Sequence, residues 1–241
     1  MHEPYVRIIP GAQNAVVFVH GIVSTPRYWD AFVAAAPPDW SVHSLLLPGH
    51  GGSVADFGRT RRGEWLRHVN AVLDEMRAQH ERVYVVAHSL GTLLTVQCAL
   101  ENPEKIAGML LLAMPLRIFV KPMSIVHNIG KGLGLTDEGG ELASYYGTEQ
   151  DWRVWRYIPW IPRYLELFAI SRDVRRRMTA LTVPARVFMS GRDELVSLRS
   201  CRTLQKCPTV SLTILPDSMH HERAEADEAL VMAAFREMCE K

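Results

Sequence analysis

The sequence predicts an α/β fold in which helices flank a mostly parallel sheet. Short apolar runs rich in Val, Leu and Ile recur along the chain, and none alternates strictly between apolar and polar residues. This pattern is typical of strands that are buried on both faces. Segments with helical spacing separate the runs, and such alternation favours parallel strands joined by helical crossovers. The predicted strands are Ala15–Val19, Val42–Leu47, Val83–Ala87, Met109–Ala113, Arg186–Met189 and Val210–Leu215.

Three of the intervening segments have clear helical character. Glu64–Arg77 is amphipathic, whereas Thr92–Leu100 is mostly apolar and stops near Asn102-Pro103, because proline cannot continue a helix. Glu225–Met238 is predicted to be the closing amphipathic helix. The side chains expected to face the core are Trp65, Val69, Val72, Leu73 and Met76 in the first helix, and Leu230, Val231, Ala234 and Phe235 in the last.

One stretch between two late strands interrupts this alternation. From about Arg117 to Thr182 no strand is recognisable, and a segment of this length is too long for an ordinary connection. We therefore expect a helical cap over 117–183, inserted into an α/β core that comprises 1–116 and 184–241.

The predicted cap is rich in aromatic residues. Trp152, Trp155 and Trp160 are candidates for lining an apolar acyl pocket, and Pro159 and Pro162 predict a bend at Trp160. The alternative is that these aromatic side chains only fasten the cap to the core.

Composition excludes several classes of function. The net charge of +1 provides no field for steering nucleic acid or an anionic membrane. No apolar run approaches the length of a membrane-spanning helix, and the N-terminus lacks a signal-peptide pattern. The chain is therefore expected to be cytoplasmic, with no nucleic-acid partner and no stable membrane anchor, and a homodimer is left open. Its four cysteines form no CxxC pair, which favours free thiols over a Cys201–Cys207 bridge.

The strongest chemical signal is the run from Val83 to Gly91, which reads VYVVAHSLG. A buried strand leads into a small-x-Ser-x-Gly turn, and a helix follows at once. Such a turn projects the serine hydroxyl above the sheet, and the small residues let the strand and helix approach closely. Ser89 is therefore the predicted nucleophile.

A nucleophilic serine needs a base, and the base needs an orienting carboxylate. Asp193 follows the strand Arg186–Met189, with Glu194 as the competing carboxylate and a helix-capping role for Asp193 as the alternative. His220 and His221 follow the last strand, and we favour His220 as the base, leaving a helix-start or surface role to His221. The order Ser, Asp, His is the one expected for this kind of sheet.

The backbone after the first strand predicts donors for a developing oxyanion. His20-Gly21 ends that strand and lets the chain turn so that the Ile22 amide faces the serine, while the Leu90 amide supplies a second donor. His20 itself is expected to fix this loop by side-chain hydrogen bonds. No HExxH, CxxC, dinucleotide fingerprint or P-loop is present, so neither a metal site nor a cofactor is predicted.

Together these motifs resemble the α/β-hydrolase superfamily. They are His20-Gly21, the LPGHG run at 47–51, the AHSLG run at 87–91, Gly191-x-Asp193 and His220. Within the superfamily the sequence is similar to bacterial carboxylesterases and monoacylglycerol lipases. The departures are Ala87 in place of the usual glycine and Met219 in place of a small residue before the histidine.

The resemblance implies a serine hydrolase that acts on a small-molecule ester with an apolar acyl group. It carries the roles of nucleophile, acid and base onto Ser89, Asp193 and His220, and the oxyanion-binding role onto the Ile22 and Leu90 amides. The same set of residues also serves amidases, thioesterases and C–C bond hydrolases. A slow or inert ligand-binding protein on the same scaffold is the alternative outside enzymology.

Overall fold

The computed structural model describes residues 2–119 and 153–240, and the described strands form one sheet. The strand order is β1-β3-β2-β4-β5-β6-β7, with β1 antiparallel to β3 and every other neighbouring pair parallel. The strands are β1 (Tyr5–Arg7), β2 (Asn14–Val19), β3 (Ser41–Leu45), β4 (Arg82–His88), β5 (Ile106–Leu112), β6 (Ala185–Ser190) and β7 (Val210–Leu215). This mostly parallel sheet confirms the predicted fold class.

Helices pack on both faces of the sheet. The α-helices in the described residues are α1 (Asp30–Ala35), α2 (Val54–Arg59), α3 (Arg62–Gln79), α4 (Leu90–Glu101), α5 (Ile161–Arg177), α6 (Cys201–Leu204) and α7 (Glu225–Cys239). Short 3₁₀ helices cover Pro26–Trp29, Val154–Trp160, Met178–Ala180 and Leu198–Ser200. None of the helices in the described parts of the chain is long and apolar enough to cross a membrane.

Alternate residues of the central strands enter two separate cores. In β2, Val17 packs with side chains of α3, α4 and α5 on one face, whereas Phe18 packs with α1 and α7 on the other. In β4, Val85 and Val86 divide in the same way. Both faces of these strands are therefore buried, which explains why their sequences are continuous apolar runs instead of alternating ones.

The helical stripes are largely as predicted, with one correction. All five predicted inward side chains of α3 are buried, and α4 is buried around its circumference and ends before Asn102. In α7, Val231 and Phe235 are buried, but Leu230 is 47% exposed. The prediction for Leu230 is wrong because the buried stripe of α7 is narrow and Leu230 lies outside it.

The predicted division of the chain into a core and a cap at 117–183 stays a prediction, because residues 120–152 lie outside the described residues. In the described part, α5 packs against α3 and α4. Its side chains Leu167, Ile170 and Val174 are buried in the same core as α3. Ser171 Oγ donates a hydrogen bond of 2.5 Å to the Pro115 carbonyl, so α5 is attached directly to the sheet domain.

Candidate active site

Ser89 lies at the point where β4 turns into α4. Its backbone has φ +48° and ψ −118°, a strained conformation for a residue with a side chain. The turn is tight because α4 approaches β2 closely: a Cβ atom placed on Gly91 would lie 2.4 Å from the Val19 carbonyl oxygen and 2.7 Å from that of His20. The Ala87 methyl is fully buried in the core, so the departure from glycine is accommodated.

A chain of hydrogen bonds joins the three residues that the sequence singles out. The distance between Ser89 Oγ and His220 Nε2 is 3.0 Å, and that between His220 Nδ1 and Asp193 Oδ2 is 2.8 Å. A carboxylate can only accept, so Nδ1 carries the proton and Nε2 is left to accept from the serine hydroxyl. All three residues are buried.

Asp193 makes two kinds of contact. Its Oδ1 accepts hydrogen bonds from the backbone N–H groups of Leu195 at 2.8 Å and Val196 at 2.7 Å, while Oδ2 contacts His220. Burial opposes ionisation, but the neighbouring His220 and the two amide donors outweigh it and lower the pKa of the carboxyl below its usual value. The carboxylate is therefore held ionised and fixed in orientation.

Glu194, the competing carboxylate, contacts a different part of His220. Its Oε2 accepts a hydrogen bond of 3.2 Å from the His220 backbone N–H, so its carboxylate is not the one that bonds the imidazole. The capping alternative for Asp193 is also resolved, because Ser197 accepts the hydrogen bond that caps the 3₁₀ helix Leu198–Ser200.

The predicted oxyanion donors come from a turn after β2 and from the start of α4. The turn at 21–24 closes with a hydrogen bond of 3.4 Å between its end residues and holds Val23 at φ +56°. Gly21 lies against the serine, since a Cβ atom placed on it would be 3.1 Å from Ser89 Cβ. Within the described parts of the chain, the N–H groups of Ile22 and Leu90 have no hydrogen-bond partner.

His20 fixes this turn, as the sequence predicts. Its Nδ1 donates to the Gly21 carbonyl at 2.8 Å, and its Nε2 accepts from the Leu47 backbone N–H at 3.0 Å. Burial, followed by the proximity of His50, lowers the pKa of His20 well below its ordinary value. The ring is therefore neutral and ties the end of β2 to the segment that follows β3.

His221 does not start a helix, so that part of its predicted role is wrong, and its ring is only partly exposed. α7 begins later, at Glu225, and the half-buried His221 ring packs against the rings of His220 and His88, with centroids 4.7 Å and 5.3 Å apart. Burial, with the charge of His220 as a second cause, lowers the pKa of His221 to about 3.

The three candidate tryptophans have different surroundings. Trp160 is buried against Phe57 on α2, and its indole Nε1 donates a hydrogen bond of 2.8 Å to the Val54 carbonyl. Trp155 is 58% exposed. Trp152 lies outside the described residues. The contacts of Trp160 are those of the fastening role that the sequence left open for these aromatics.

Trp160 lies where a 3₁₀ helix meets α5, with one of the two prolines on each side of it. Val154–Trp160 forms a 3₁₀ helix that contains Pro159, and Pro162 lies in the first turn of α5. Proline is tolerated in a first helical turn because the N–H that it lacks would have no intrahelical acceptor there. Pro162 therefore begins a helix instead of interrupting one.

Two contacts of the site were not found from the sequence. His88 Nε2 donates to the His220 carbonyl at 2.9 Å, and Glu194 accepts from the His220 N–H. In the sequence, His88 and Glu194 are distinguished only by being next to a predicted site residue. In the described residues, no cluster of three or more His, Cys, Asp or Glu side chains is arranged to hold a metal ion.

Comparison with known proteins assigns the chain to a family. The sequence pattern of the alpha/beta hydrolase family matches residues 16–234. The chain belongs to the alpha/beta hydrolase family. Membership supports a hydrolase, which is the reaction class that the resemblance implied.

Individual relatives are distant. A thermostable monoacylglycerol lipase of Bacillus sp. strain H-257 is 25% identical over 190 residues, which are 75% of this chain and 71% of that protein. An uncharacterized protein of Mycobacterium tuberculosis strain H37Rv is 30% identical over 108 residues, only 30% of its own length and 44% of this chain.

The solved structures of similar fold cover nearly the whole chain. One, described for the metagenome-derived lipolytic enzymes LipS and LipT, has a TM-score of 0.75 at 18% identity and covers 99% of this chain and 97% of its own. A monoacylglycerol lipase of Paleococcus ferrophilus has a TM-score of 0.64 at 17% identity, covering 100% and 99%. A deformylase of Pseudomonas putida S16 and an ancestral haloalkane dehalogenase share the fold at TM-scores of 0.65 and 0.63. At these identities the structures show the fold alone.

Proposed function

We propose that the protein hydrolyses carboxylic esters through an acyl-enzyme intermediate on Ser89. The observation that carries this proposal is the buried hydrogen-bonded chain from Ser89 Oγ through His220, over 3.0 Å and 2.8 Å, to the Asp193 carboxylate. A serine hydroxyl becomes a nucleophile when a neighbouring base takes its proton, and a carboxylate stabilises the imidazolium that results. This constellation suits acyl transfer.

In the proposed mechanism, Ser89 Oγ attacks the ester carbonyl carbon while His220 Nε2 takes the hydroxyl proton. The N–H groups of Ile22 and Leu90 stabilise the oxyanion that forms. His220 then gives its proton to the leaving alcohol, and the C–O bond of the ester breaks. A water molecule attacks the acyl-enzyme with His220 again as the base, which releases the acid and restores the Ser89 hydroxyl.

The proposed substrates are esters with a short- to medium-chain acyl group, or monoacylglycerol-like esters. The loops after β2, β5 and β6 and the 3₁₀ helix Val154–Trp160 contribute partly buried apolar side chains, namely Ile22, Val23, Ile118, Leu195 and Tyr157. These side chains favour an apolar acyl group. The lipases among the relatives add support to an ester substrate. The cytoplasm remains the proposed compartment, and the free thiols of all four cysteines are compatible with it.

A fluorophosphonate probe tests the nucleophile. The expected result is a single phosphonyl adduct by intact mass, mapping to the peptide that contains Ser89, with no adduct on Ser89→Ala. An adduct on another residue, or none, would overturn the proposal. The base is tested in parallel: we expect His220→Ala to lose activity by about 10⁴-fold or more and His221→Ala to keep most of it. The reverse result would reassign the base.

A panel of substrates of graded acyl length tests the substrate class. Each buried methylene contributes about 0.8 kcal/mol, or roughly fourfold in the specificity constant, until the pocket ends. Esters of about six to ten acyl carbons are therefore expected to exceed both acetate and palmitate esters. A steady fall from acetate upward would show that the acyl site is closed. Matched amides and thioesters in the same panel decide whether the ester is the preferred bond.

A further inference from the structure

The backbone of His220 is held at both of its polar groups. His88 Nε2 donates a hydrogen bond of 2.9 Å to the His220 carbonyl, and Glu194 Oε2 accepts one of 3.2 Å from the His220 N–H. His88 immediately precedes Ser89, and Glu194 immediately follows Asp193. A second pair of contacts thus runs alongside the Ser89–His220–Asp193 chain and joins the same three segments.

The hydrogen bond from His88 to the His220 carbonyl leaves the other ring nitrogen of His88 buried and, in the part of the chain that the structure describes, unpaired, which lowers the stability of the protein. A carbonyl can only accept, so Nε2 carries the proton and Nδ1 does not. Nδ1 is buried, and it has no hydrogen-bond partner within the described residues. A buried polar atom without a partner destabilises a protein by about 1–3 kcal/mol, and an apolar side chain at position 88 would avoid this cost.

Further contacts fix the plane of the His88 ring. Tyr28 stacks on it with centroids 4.6 Å apart, and the Tyr28 hydroxyl accepts a hydrogen bond from Arg223, which is paired with Glu228. On another side, a Cβ atom placed on Gly21 would lie 2.9 Å from His88 Nδ1. The imidazole is therefore clamped between the 3₁₀ helix Pro26–Trp29, the turn after β2 and the loop that carries His220, and it cannot turn away from the His220 carbonyl.

The loop before His220 is anchored separately. Ser218 Oγ donates a hydrogen bond of 2.7 Å to Asp227 Oδ2 on α7, and the Ser218 carbonyl accepts from the Arg192 N–H at 3.0 Å. A hydrogen bond of 2.8 Å from the Met219 N–H to the Glu222 carbonyl also closes the turn around His220. None of these contacts is made by the N–H or the carbonyl of His220 itself, and the hydrogen bonds to those two groups come from Glu194 and His88.

We propose that His88 and Glu194 are positioning residues that hold the two peptide groups of His220 and so aim its imidazole at Ser89. The proposal rests on the proposed function, since aiming matters only if His220 is the base. Misplacing a catalytic group by about 1 Å costs on the order of 100-fold in rate, so small rotations of the His220 backbone are sufficient for a measurable effect.

Replacing His88 tests the contact with the carbonyl. His88→Leu removes the donor, whereas the side-chain amide of His88→Gln keeps an N–H near the position of Nε2. We expect His88→Leu to lower kcat for a p-nitrophenyl ester and the rate of fluorophosphonate labelling by about 10–100-fold, with KM nearly unchanged. His88→Gln is expected to recover most of this loss.

Replacing Glu194 tests the contact with the N–H, and it remains informative if His88→Leu does not fold, because Glu194 is only half-buried. Glu194→Leu removes the acceptor, whereas Glu194→Gln keeps an oxygen. The expected loss in kcat for Glu194→Leu is about 3–10-fold, again with rescue by glutamine. Both residues hold the same side chain, so their effects in the double variant are expected to be non-additive.

The matched control is His80→Leu. His80 is a buried histidine with two hydrogen bonds at the opposite end of the sheet. Its replacement is expected to lower thermal stability without changing kcat, the labelling rate or the NMR resonance of the His220 Nδ1 proton. In His88→Leu that resonance is expected to shift or broaden, because the imidazole is no longer held.

Two outcomes would overturn the proposal. One is a set of His88 and Glu194 variants with unchanged labelling and an unchanged His220 resonance. The other is equal loss in His88→Leu and His88→Gln that only follows the loss of stability seen in His80→Leu. If the wild-type protein is never labelled at Ser89, the proposed function fails. The His220 resonance then decides the positioning role without any need for turnover.

Discussion

The two ends of the sheet differ in how well their buried polar groups are hydrogen-bonded. At the amino end, both ring nitrogens of His80 are bonded, to the Met76 carbonyl at 2.9 Å and to Ser41 Oγ at 2.8 Å. Arg77, also buried there, donates to the Asn102 carbonyl at 2.7 Å. Each of these groups recovers in the protein the hydrogen bonds that it loses from water, and the contacts serve stability.

At the carboxyl end, polar and backbone costs accumulate instead. His50 Nε2 and His88 Nδ1 are buried without a hydrogen-bond partner in the described parts of the chain. Val23, Ser89 and Ala113, which follow β2, β4 and β5, all have positive φ angles. A valine at φ +56° is especially costly, because branching at Cβ crowds the left-handed region.

This difference indicates that the carboxyl end of the sheet lowers the stability of the fold more than the amino end does. Strained φ angles cost about 1–3 kcal/mol each and persist only where the surrounding structure enforces them. Of the four non-glycine residues with positive φ in the described parts of the chain, three lie at the end of the sheet where the serine, histidine and aspartate converge. The fourth, Lys105 at φ +59°, lies at the amino end, directly before β5. Most of this strain is therefore concentrated around the candidate active site.

The largest expected effect that separates the two ends is that of Ser89→Ala. Ester turnover is expected to fall by about 10⁴–10⁶-fold, because the attacking oxygen is removed. The strained backbone is unchanged, so the unfolding temperature stays near that of the wild type. Steady-state hydrolysis and thermal denaturation measure the two effects. Ester hydrolysis retained by the alanine variant would remove Ser89 from the mechanism.

The next largest effect is expected for Asp193→Asn. The amide keeps the shape of the side chain but favours the wrong histidine tautomer and no longer stabilises an imidazolium, so kcat is expected to fall by about 10⁴-fold. Glu194→Gln, which retains an oxygen acceptor for the His220 N–H, is the matched control and is expected to change kcat by no more than about threefold. A larger loss in the glutamine variant would exchange the roles of the two carboxylates.

Two glycines extend the comparison to stability. In Gly91→Ala the new methyl would meet the Val19 carbonyl oxygen at 2.4 Å, which is backbone that cannot move aside. The free energy of unfolding is expected to fall by about 3 kcal/mol. Gly63, in the first turn of α3, has only the flexible end of Arg67 nearby, at 3.4 Å. Gly63→Ala is therefore expected to stabilise by about 0.5–1 kcal/mol. Urea denaturation measures both, and equal effects would show that α4 does not pack tightly on β2.

The sequence predicts the strands well because burial on both faces leaves a strong local signal. Val210–Leu215 is found with its exact bounds, and Glu225–Cys239 differs from its prediction by one residue at its end. β1 was missed, since it is a three-residue edge strand with exposed side chains and no apolar run. Leu230 was misassigned because a helical stripe read from spacing alone does not fix its width.

The candidate site likewise contains residues that the sequence predicts and residues that it does not. Ser89, Asp193 and His220 are recognisable because each follows a strand end and each has the required chemistry. His88 and Glu194 act on the backbone of a residue far along the chain, and the His88 contact spans 132 positions. No pattern of residue types records a side chain that bonds to a peptide group. Such contacts become visible only when the loops are placed in three dimensions.

The last prediction concerns acid, which is expected to destabilise the carboxyl end through its buried histidines. Burial lowers the pKa of His50 to about 4, whereas an unfolded chain titrates near the ordinary value of about 6.5. Between these values the unfolded state binds more protons, so the stability is complete above about pH 6.5 and is lost as the pH falls toward 4. The contribution of His50 to this loss is roughly 3 kcal/mol.

His50→Phe isolates this contribution. The ring packs edge-on against Phe57 and Trp65, which a phenylalanine can reproduce. The Pro48 carbonyl loses its contact with His50 Nδ1 but keeps the hydrogen bond of 3.0 Å from the Trp65 indole N–H, so it is not left unpaired. Urea denaturation between pH 7 and pH 4 is expected to show a shallower loss of stability in the variant. If the free energy of unfolding depends on pH in the same way in both proteins, His50 has an ordinary pKa in the folded state. Burial of its unpaired nitrogen then does not contribute to the loss of stability in acid.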